Sequence, residues 1–270
     1  MVSLSINETT SLRWSFEEDV LAYSAAGINA IGVWRQKLSD FGEAKGIELL
    51  QETGMSVSNL LWAGGFTGND GRSYRDAVED AKEAVATAAA MRAACLVVYS
   101  GGRGGHTANH ARRLIRGALD EILQTSADSD VTLAIEPMHP GCATEWTFLT
   151  SVQETLALLE EVSSPRVKMV LDTYHFGFDA DIIELIPRIV PHLALVQLAD
   201  GKQSPQGDQN RCQLGTGIVP LGPIVEALAS AGYDGYYDVE LHGEELEHVD
   251  YQTIIEHSKT AVEELIGTTV

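Results

Sequence analysis

Short runs of consecutive apolar residues alternate along this chain with longer segments that carry a helical pattern. The short apolar runs predict buried strands, and the longer segments predict helices. The predicted strands cover residues 4–6, 30–34, 57–62, 95–99, 131–136, 167–172, 193–198 and 235–240. The predicted helices cover residues 16–26, 44–53, 74–91, 110–124, 151–161, 182–189, 223–231 and 251–266. The chain therefore repeats a strand–helix unit eight times.

Some helix borders are marked by their own residues. Ser15 stands at the N-cap position of the first helix, and Glu18 occupies the position that completes a capping box. Gly27 and Gly54 follow the first two helices, where a glycine commonly ends a helix. These signals support the assigned borders.

The eight strand–helix units predict an α/β fold with a parallel sheet covered by helices. Eight units within 270 residues favour one closed (β/α)8 barrel over an open, doubly wound sheet. No linker, low-complexity tract or change of composition divides the chain. We therefore expect a single barrel domain over residues 1–270.

Four successive strands, the fifth to the eighth, end on a side chain with a ligand oxygen. These residues are Glu136, Asp172, Gln197 and Glu240. The carboxyl ends of all strands meet at one mouth of a (β/α)8 barrel, where the active sites of such barrels lie. A lone acid at a strand end is usually a cap or a surface charge. Four oxygen ligands on neighbouring strands predict one metal site instead.

Composition and charge narrow the possible partners. The formal net charge of −21 argues against a nucleic-acid partner, because such proteins need basic surface to neutralise phosphate. The three cysteines, Cys95, Cys142 and Cys212, are few and far apart, so neither a disulfide framework nor a structural zinc site is indicated. No apolar run is long enough for a membrane span, and the first residues lack the pattern of a secretory signal. We expect a cytoplasmic protein.

Five segments of the second half carry a resemblance to a known family. They are LAIEPMHP, MVLDTYH, LVQLAD, NRCQLGTG and YDVELHG. Together they resemble the xylose isomerase-like TIM-barrel superfamily of sugar isomerases and epimerases. That superfamily includes ketose 3-epimerases, hydroxypyruvate isomerases and 3-dehydroshikimate dehydratases, and the resemblance extends over essentially the whole chain.

The resemblance implies one divalent metal, bound by the four strand-end residues. Three carboxylates and one amide are hard oxygen ligands, which favours Mn²⁺ or Mg²⁺ over zinc. Many members of the superfamily have histidine where this chain has Gln197. Glu136 and Glu240 are then expected to take and return a proton beside the substrate carbonyl, through a metal-stabilised enediolate.

The resemblance also implies residues that bind the substrate. His175 follows Asp172 by three residues, as in the epimerases, and Arg211 matches an arginine that precedes a Gly-x-Gly segment. His139 either faces the same pocket or caps its own loop. Trp34 and Trp62 end the second and third strands, where they would form an apolar wall against a sugar face or cover the barrel as core.

The leading hypothesis is a metal-dependent isomerase or epimerase that acts on a ketose, a keto-sugar or a related polyol. A dehydratase or lyase is the first alternative, since it would start with the same proton abstraction, and Gln197 mildly favours that branch or the hydroxypyruvate isomerases. A non-catalytic sugar-binding barrel or partner subunit is the second alternative. Relatives are often dimers or tetramers, so a homo-oligomer fits the resemblance.

Overall fold

Eight parallel strands form a closed barrel in this computed structural model, which describes residues 3–207 and 209–267. Each strand pairs with the next along the chain, and the first pairs with the eighth. The strands are β1 Ser3–Asn7, β2 Ala30–Trp34, β3 Ser56–Gly64, β4 Cys95–Tyr99, β5 Thr132–Ile135, β6 Val167–Asp172, β7 Leu193–Leu198 and β8 Tyr236–Val239. The predicted (β/α)8 barrel is confirmed.

Helices connect the strands on the outside of the barrel. They are α1 Phe16–Ala25, α2 Arg35–Phe41, α3 Glu43–Thr53, α4 Tyr74–Met91, α5 Ala108–Thr125, α6 Val152–Val162, α7 Thr173–Phe176, α8 Ile182–Ile189, α9 Leu221–Ser230 and α10 Tyr251–Gly267. Short 3-10 helices cover Glu8–Ser11 and Val190–His192. Among the described helices, none is long and apolar enough to cross a membrane.

The predicted helix borders agree with the caps. The Ser15 amide donates to Glu18 Oε2 at 2.7 Å, and the Glu18 amide donates back to Ser15 Oγ at 3.3 Å, which is a complete capping box. Gly54 follows α3 with a φ of 67°, in the left-handed region that glycine enters without strain.

Two helices are absent from the sequence prediction. α2 begins directly after Trp34, so no turn residue separates it from β2, and Gly42 divides it from α3. α7 is a single helical turn. Asp172 caps its start, since the Asp172 carboxylate accepts the Tyr174 amide at 2.7 Å. Such short helices carry too few residues to show a periodic pattern. α7 matters for the site because it contains His175.

The interior of the barrel has an apolar side and a polar side. The apolar side consists of Leu61, Cys95, Val97, Ala134, Val170 and Leu195. On the polar side, the buried Asp238 accepts hydrogen bonds from Asn7 Nδ2 and Asn59 Nδ2, each at 2.8 Å. Gly32 leaves room for these three side chains, since a Cβ there would lie within 2.9 Å of all of them. Burial raises the pKa of Asp238, even though its hydrogen bonds oppose that shift.

Candidate active site

The four strand-end residues meet at the mouth of the barrel. Asp172 ends β6 and pairs in register with Gln197 of β7, while Glu136 and Glu240 directly follow β5 and β8. Their exposed fractions are 3% for Glu136, 4% for Glu240 and 0% for the other two. Three carboxyl groups are thus removed from bulk water in one place, which is costly unless they are paired or bind a cation.

Gln197 is fixed by its contact with Glu240. Its Nε2 donates to Glu240 Oε2 at 2.6 Å, and Glu240 Oε1 accepts from Thr9 Oγ1 at 3.3 Å. Gln197 Oε1 is buried and has no hydrogen-bond partner among the described residues. The amide therefore keeps its oxygen available as a ligand atom.

Arg211 brings a positive charge into the acid cluster. Its Nη2 lies 2.6 Å from Asp172 Oδ2 and 3.9 Å from Glu240 Oε2, and the side chain is 1% exposed. The guanidinium packs over the ring of Tyr174, with 4.7 Å between Cζ and the ring centroid. Its position comes from the loop after β7, where the Arg211 amide donates to the carbonyl of His242 at 2.9 Å.

His175 completes this part of the mouth. The imidazole is fully buried on α7, and its Nε2 lies 3.8 Å from Asp172 Oδ2 without a hydrogen-bond partner among the described residues. Burial lowers the pKa of His175 to about 4, so the ring is neutral at neutral pH. A neutral imidazole can accept a hydrogen bond or bind a metal at Nε2, depending on its tautomer.

The two glutamates have perturbed proton affinities. Burial and the negative charges of Glu240 and Asp172 raise the pKa of Glu136 well above its usual range. Burial also raises the pKa of Glu240 to about 7, against the opposing effect of Arg211. A raised pKa lets a carboxyl group keep its proton at a higher pH than a carboxyl group in water does, which suits acid–base chemistry.

The residues present fit a divalent cation. Glu136, Asp172 and His175 each offer a ligand atom, and these atoms all lie within 4.8 Å of one another. Glu136 Oε2, like Gln197 Oε1, is buried without a hydrogen-bond partner in the described part of the chain. Buried oxygens without partners, set among three neighbouring carboxyl groups, are the environment that hard cations occupy in proteins.

Comparison with known proteins agrees with the barrel fold. The model of the xylose isomerase-like TIM barrel family matches residues 20–265. The chain belongs to this family.

Among curated relatives, D-psicose 3-epimerase from Enterocloster bolteae is 30% identical over 121 residues. That match covers 43% of this chain and only 36% of the relative. Among solved structures, protein SMc04130 from Sinorhizobium meliloti 1021 is 26% identical, with a TM-score of 0.82 over 99% of this chain and 95% of that one. IolI with a bound zinc atom is 18% identical, with a TM-score of 0.86 over 100% of this chain and 99% of that one, which shows the shared fold.

In this xylose isomerase-like barrel, an aromatic cluster occupies the β2–β4 side of the mouth, beside the acids on β5–β8. Trp34 and Trp62 lie 6.2 Å apart between ring centroids, and Trp146 packs against Trp62 at 5.6 Å and against Tyr99 at 5.7 Å. The four rings line a cavity of about 730 Å³. Because Val98 pairs with Ile135 in the β4–β5 register, Tyr99 stands beside Glu136 at the strand ends.

The same cavity contains charged groups that neutralise one another. Arg35 and Arg72 both pair with Asp80, at 2.9 Å and 3.1 Å, and Arg72 also pairs with Asp70 at 2.8 Å. Nothing in the sequence spacing indicates this network, since its members come from three separate segments.

The histidines near the mouth differ in what they contact. His139 is partly exposed, and its Nδ1 accepts the amide of Gly141 at 3.0 Å, which fits the loop-capping alternative. His242 Nε2 lies 2.9 Å from Arg211 Nη1, and burial beside this arginine lowers the pKa of His242 well below its usual range. A neutral His242 therefore accepts from Arg211. In the sequence, the only sign that His242 lies near the site is its position two residues after Glu240. That spacing does not say whether its side chain points into the pocket or away from it.

Proposed function

We propose that this protein is a divalent-metal-dependent isomerase or epimerase of a ketose or keto-sugar. Membership of the family supports this reaction class, and relatives with ketose 3-epimerase activity support the substrate class. One structural observation carries the proposal further. Glu136 and Glu240 are two buried carboxyl groups with raised pKa values, on either side of the Asp172–Arg211 pair.

The cation would be held by Glu136, Asp172, Gln197 and Glu240, as one Mn²⁺ or Mg²⁺ ion. The unpartnered oxygens of Glu136 and Gln197 support this ligand set, and oxygen ligands suit these hard cations. When bound, such an ion polarises a carbonyl group and stabilises negative charge on its oxygen.

The chain's own residues supply the proton transfer. One glutamate, as a carboxylate, removes the proton from the carbon beside the carbonyl, and the other, as the acid, returns a proton to the opposite face. Glu136 and Glu240 are 3% and 4% exposed, so the protons they carry are shielded from bulk water. Arg211 and His175 would hold the substrate oxygens, since both are buried beside Asp172.

The aromatic side of the mouth would hold the rest of the substrate. Trp34 and Trp62 offer ring faces to the apolar face of a sugar, and paired charges surround them. A cavity whose arginines are already neutralised by aspartates favours a neutral, hydroxyl-rich ligand over an anionic one.

Turnover of a keto-sugar panel in deuterated water tests this proposal. We expect interconversion of one sugar pair, uptake of solvent deuterium beside the carbonyl, loss of activity in chelator, and recovery with Mn²⁺ or Mg²⁺. Glu136→Gln should lower kcat by roughly 10²–10⁴-fold, the usual contribution of a general base. The matched control is Glu161→Gln, because this glutamate is 40% exposed and, in the described part of the chain, pairs with the surface residues Arg112 and Arg116.

Full activity of Glu136→Gln, or turnover without deuterium uptake, would contradict the proposed role. A product lighter than the substrate by one water would identify the dehydratase alternative, which begins with the same proton abstraction. Gln197 stands where many relatives have histidine, and its amide donates to Glu240; it mildly favours this alternative or the hydroxypyruvate isomerases.

A further inference from the structure

The loop that carries Arg211 folds around a buried carboxyl group outside the acid cluster. This group belongs to Asp200, which lies two residues after β7 and is 0% exposed. Each of its oxygens accepts two backbone amides of the chain that follows. The donors to Oδ1 are Gly201 at 2.8 Å and Val219 at 3.1 Å, and those to Oδ2 are Gly215 at 3.0 Å and Gly217 at 2.9 Å. Roughly four lone-pair sites are what a carboxylate offers, so backbone amides occupy the whole group.

Close packing ties the chain after Arg211 to this carboxyl group. A Cβ on Gly217 would collide with Asp200 Oδ1, so only a glycine can pass the carboxyl group here. The backbone of Asp200 takes part as well, since its carbonyl accepts the Cys212 amide at 3.0 Å. Asp200 therefore holds residues 212–219 with both its side chain and its carbonyl.

Arg211 stands between two stretches of chain that are held in place. Before it, the Asn210 amide donates to the Tyr174 hydroxyl at 3.0 Å. After it, Asp200 accepts first the Cys212 amide and then the amides further along the loop. The backbone of the arginine is thus fixed from both sides, and Asp200 supplies the hold on the later side.

The guanidinium depends on this backbone for its place. Its Nη2 lies 2.6 Å from Asp172 Oδ2, and the side chain is 1% exposed. Arginine has many rotamers, and confining the side chain to one of them in a buried site costs conformational entropy. A shift of the chain after Arg211 would therefore break the short contact with Asp172, because a displaced backbone cannot reach it in the same rotamer.

We propose that Asp200 is a positioning residue, which seats Arg211 against Asp172 by holding the chain that follows this arginine. The alternative is a purely structural role, in which Asp200 stabilises the loop and the guanidinium keeps its place without it. The seating of Arg211 follows from the contacts of this loop. The consequence for turnover rests on the proposed function, in which Arg211 holds a substrate oxygen.

Two substitutions disturb this contact from opposite sides. Asp200→Asn keeps the shape of the side chain but replaces one oxygen by an NH2 group, which would face two backbone donors instead of accepting from them. Gly217→Ala keeps the carboxyl group and places a Cβ against its Oδ1. Because the two substitutions are independent, the test survives if one variant does not fold.

Nitrogen NMR of the intact protein with ¹⁵N-labelled arginine follows Arg211 without any substrate. Its Nε is buried and has no hydrogen-bond partner among the described residues, so we expect its hydrogen to exchange slowly with water. The signal is assigned as the one that vanishes in Arg211→Lys. Asp200→Asn and Gly217→Ala should each speed this exchange by about tenfold or more, because the side chain leaves its site more often.

Two controls separate this effect from a general loss of stability. Gly222→Ala adds a Cβ with no atom within 4 Å. Arg166→Ala removes a side chain that donates to the Val131 carbonyl at 3.4 Å and to Ser126 Oγ at 3.1 Å, at the opposite end of the barrel. It should lower stability and leave the exchange of Arg211 unchanged. An unchanged exchange rate in both Asp200→Asn and Gly217→Ala would overturn the proposal.

Turnover of a keto-sugar supplies a second measurement. Asp200→Asn should lower kcat/KM by roughly 10–100-fold, the cost of a misplaced binding group. In an Arg211→Ala background the same substitution should cost less than about twofold, since its effect passes through the arginine. Equal losses in the two backgrounds would show that Asp200 acts independently of Arg211, against the proposal. If no keto-sugar is turned over, the proposed function fails, whereas the NMR result still decides the role of Asp200.

Discussion

Replacing Arg211 with alanine removes a cation from the centre of three buried carboxyl groups. Its Nη2 lies 2.6 Å from Asp172 Oδ2, and the side chains of this pair are 1% and 0% exposed. Removing one partner of a buried pair leaves an uncompensated charge, which costs about 3–5 kcal/mol. Measured against the roughly 5–15 kcal/mol that stabilises a typical domain, this is a large fraction. With about 2–4 °C per kcal/mol for a chain of this size, Tm should fall by roughly 10 °C.

Urea unfolding in chelator, followed by circular dichroism, measures this loss. The control is Arg188→Ala, because Arg188 is 62% exposed and lies 3.8 Å from an exposed Glu160, a pair worth at most about 1 kcal/mol. Adding Asp172→Asn to Arg211→Ala should recover part of the loss, since the amide carries no charge that needs a partner. Equal losses for the Arg211 and Arg188 variants, or no recovery in the double variant, would refute the reasoning.

Three further predictions concern the barrel interior and the aromatic cavity. Gly32→Ala should lower stability by about 1–3 kcal/mol in thermal unfolding, because its Cβ would crowd the Asp238 network; Gly222→Ala, with no atom near its Cβ, should not. Since the folded-state pKa of Asp238 is raised, its contribution favours folding at low pH and is lost as pH rises through that pKa. We therefore expect the urea midpoint of unfolding to fall less steeply with rising pH, above about pH 4, in Asp238→Asn than in the unsubstituted protein. The same pH dependence in both proteins would contradict this. Trp146→Ala should raise KM by about tenfold with kcat nearly unchanged, as expected for the loss of a stacking contact. An equally large fall in kcat would mean that this ring contributes to the chemical step and not only to binding.

The sequence predicted the barrel and the positions of the strand-end acids because both follow from local pattern. An apolar run predicts a strand, and the topology of the barrel brings the ends of β5–β8 together. The capping box at Ser15 and Glu18 is equally local, since both partners lie within one helical turn.

The remaining interactions depend on contacts between distant segments. Asn7 and Asp238 are 231 residues apart, so no window of sequence contains the pair. The direction of His242 was equally unreadable, because a residue after a strand end can turn towards the pocket or away from it. Packing decides these cases, and packing is a property of the whole chain.

The mouth of this barrel is divided along the chain. Acids of the second half stand on β5–β8, whereas three of the four rings of the aromatic cluster, those of Trp34, Trp62 and Tyr99, stand on β2–β4 of the first half; Trp146 joins them from the loop after β5. A change in the loops before residue 131 can therefore alter what fits beside the acids while the groups proposed to move protons stay in place. If the proposed function holds, exchange of the amino-terminal loops should change which sugar this barrel accepts, and chimaeras joined near residue 131 would show this directly.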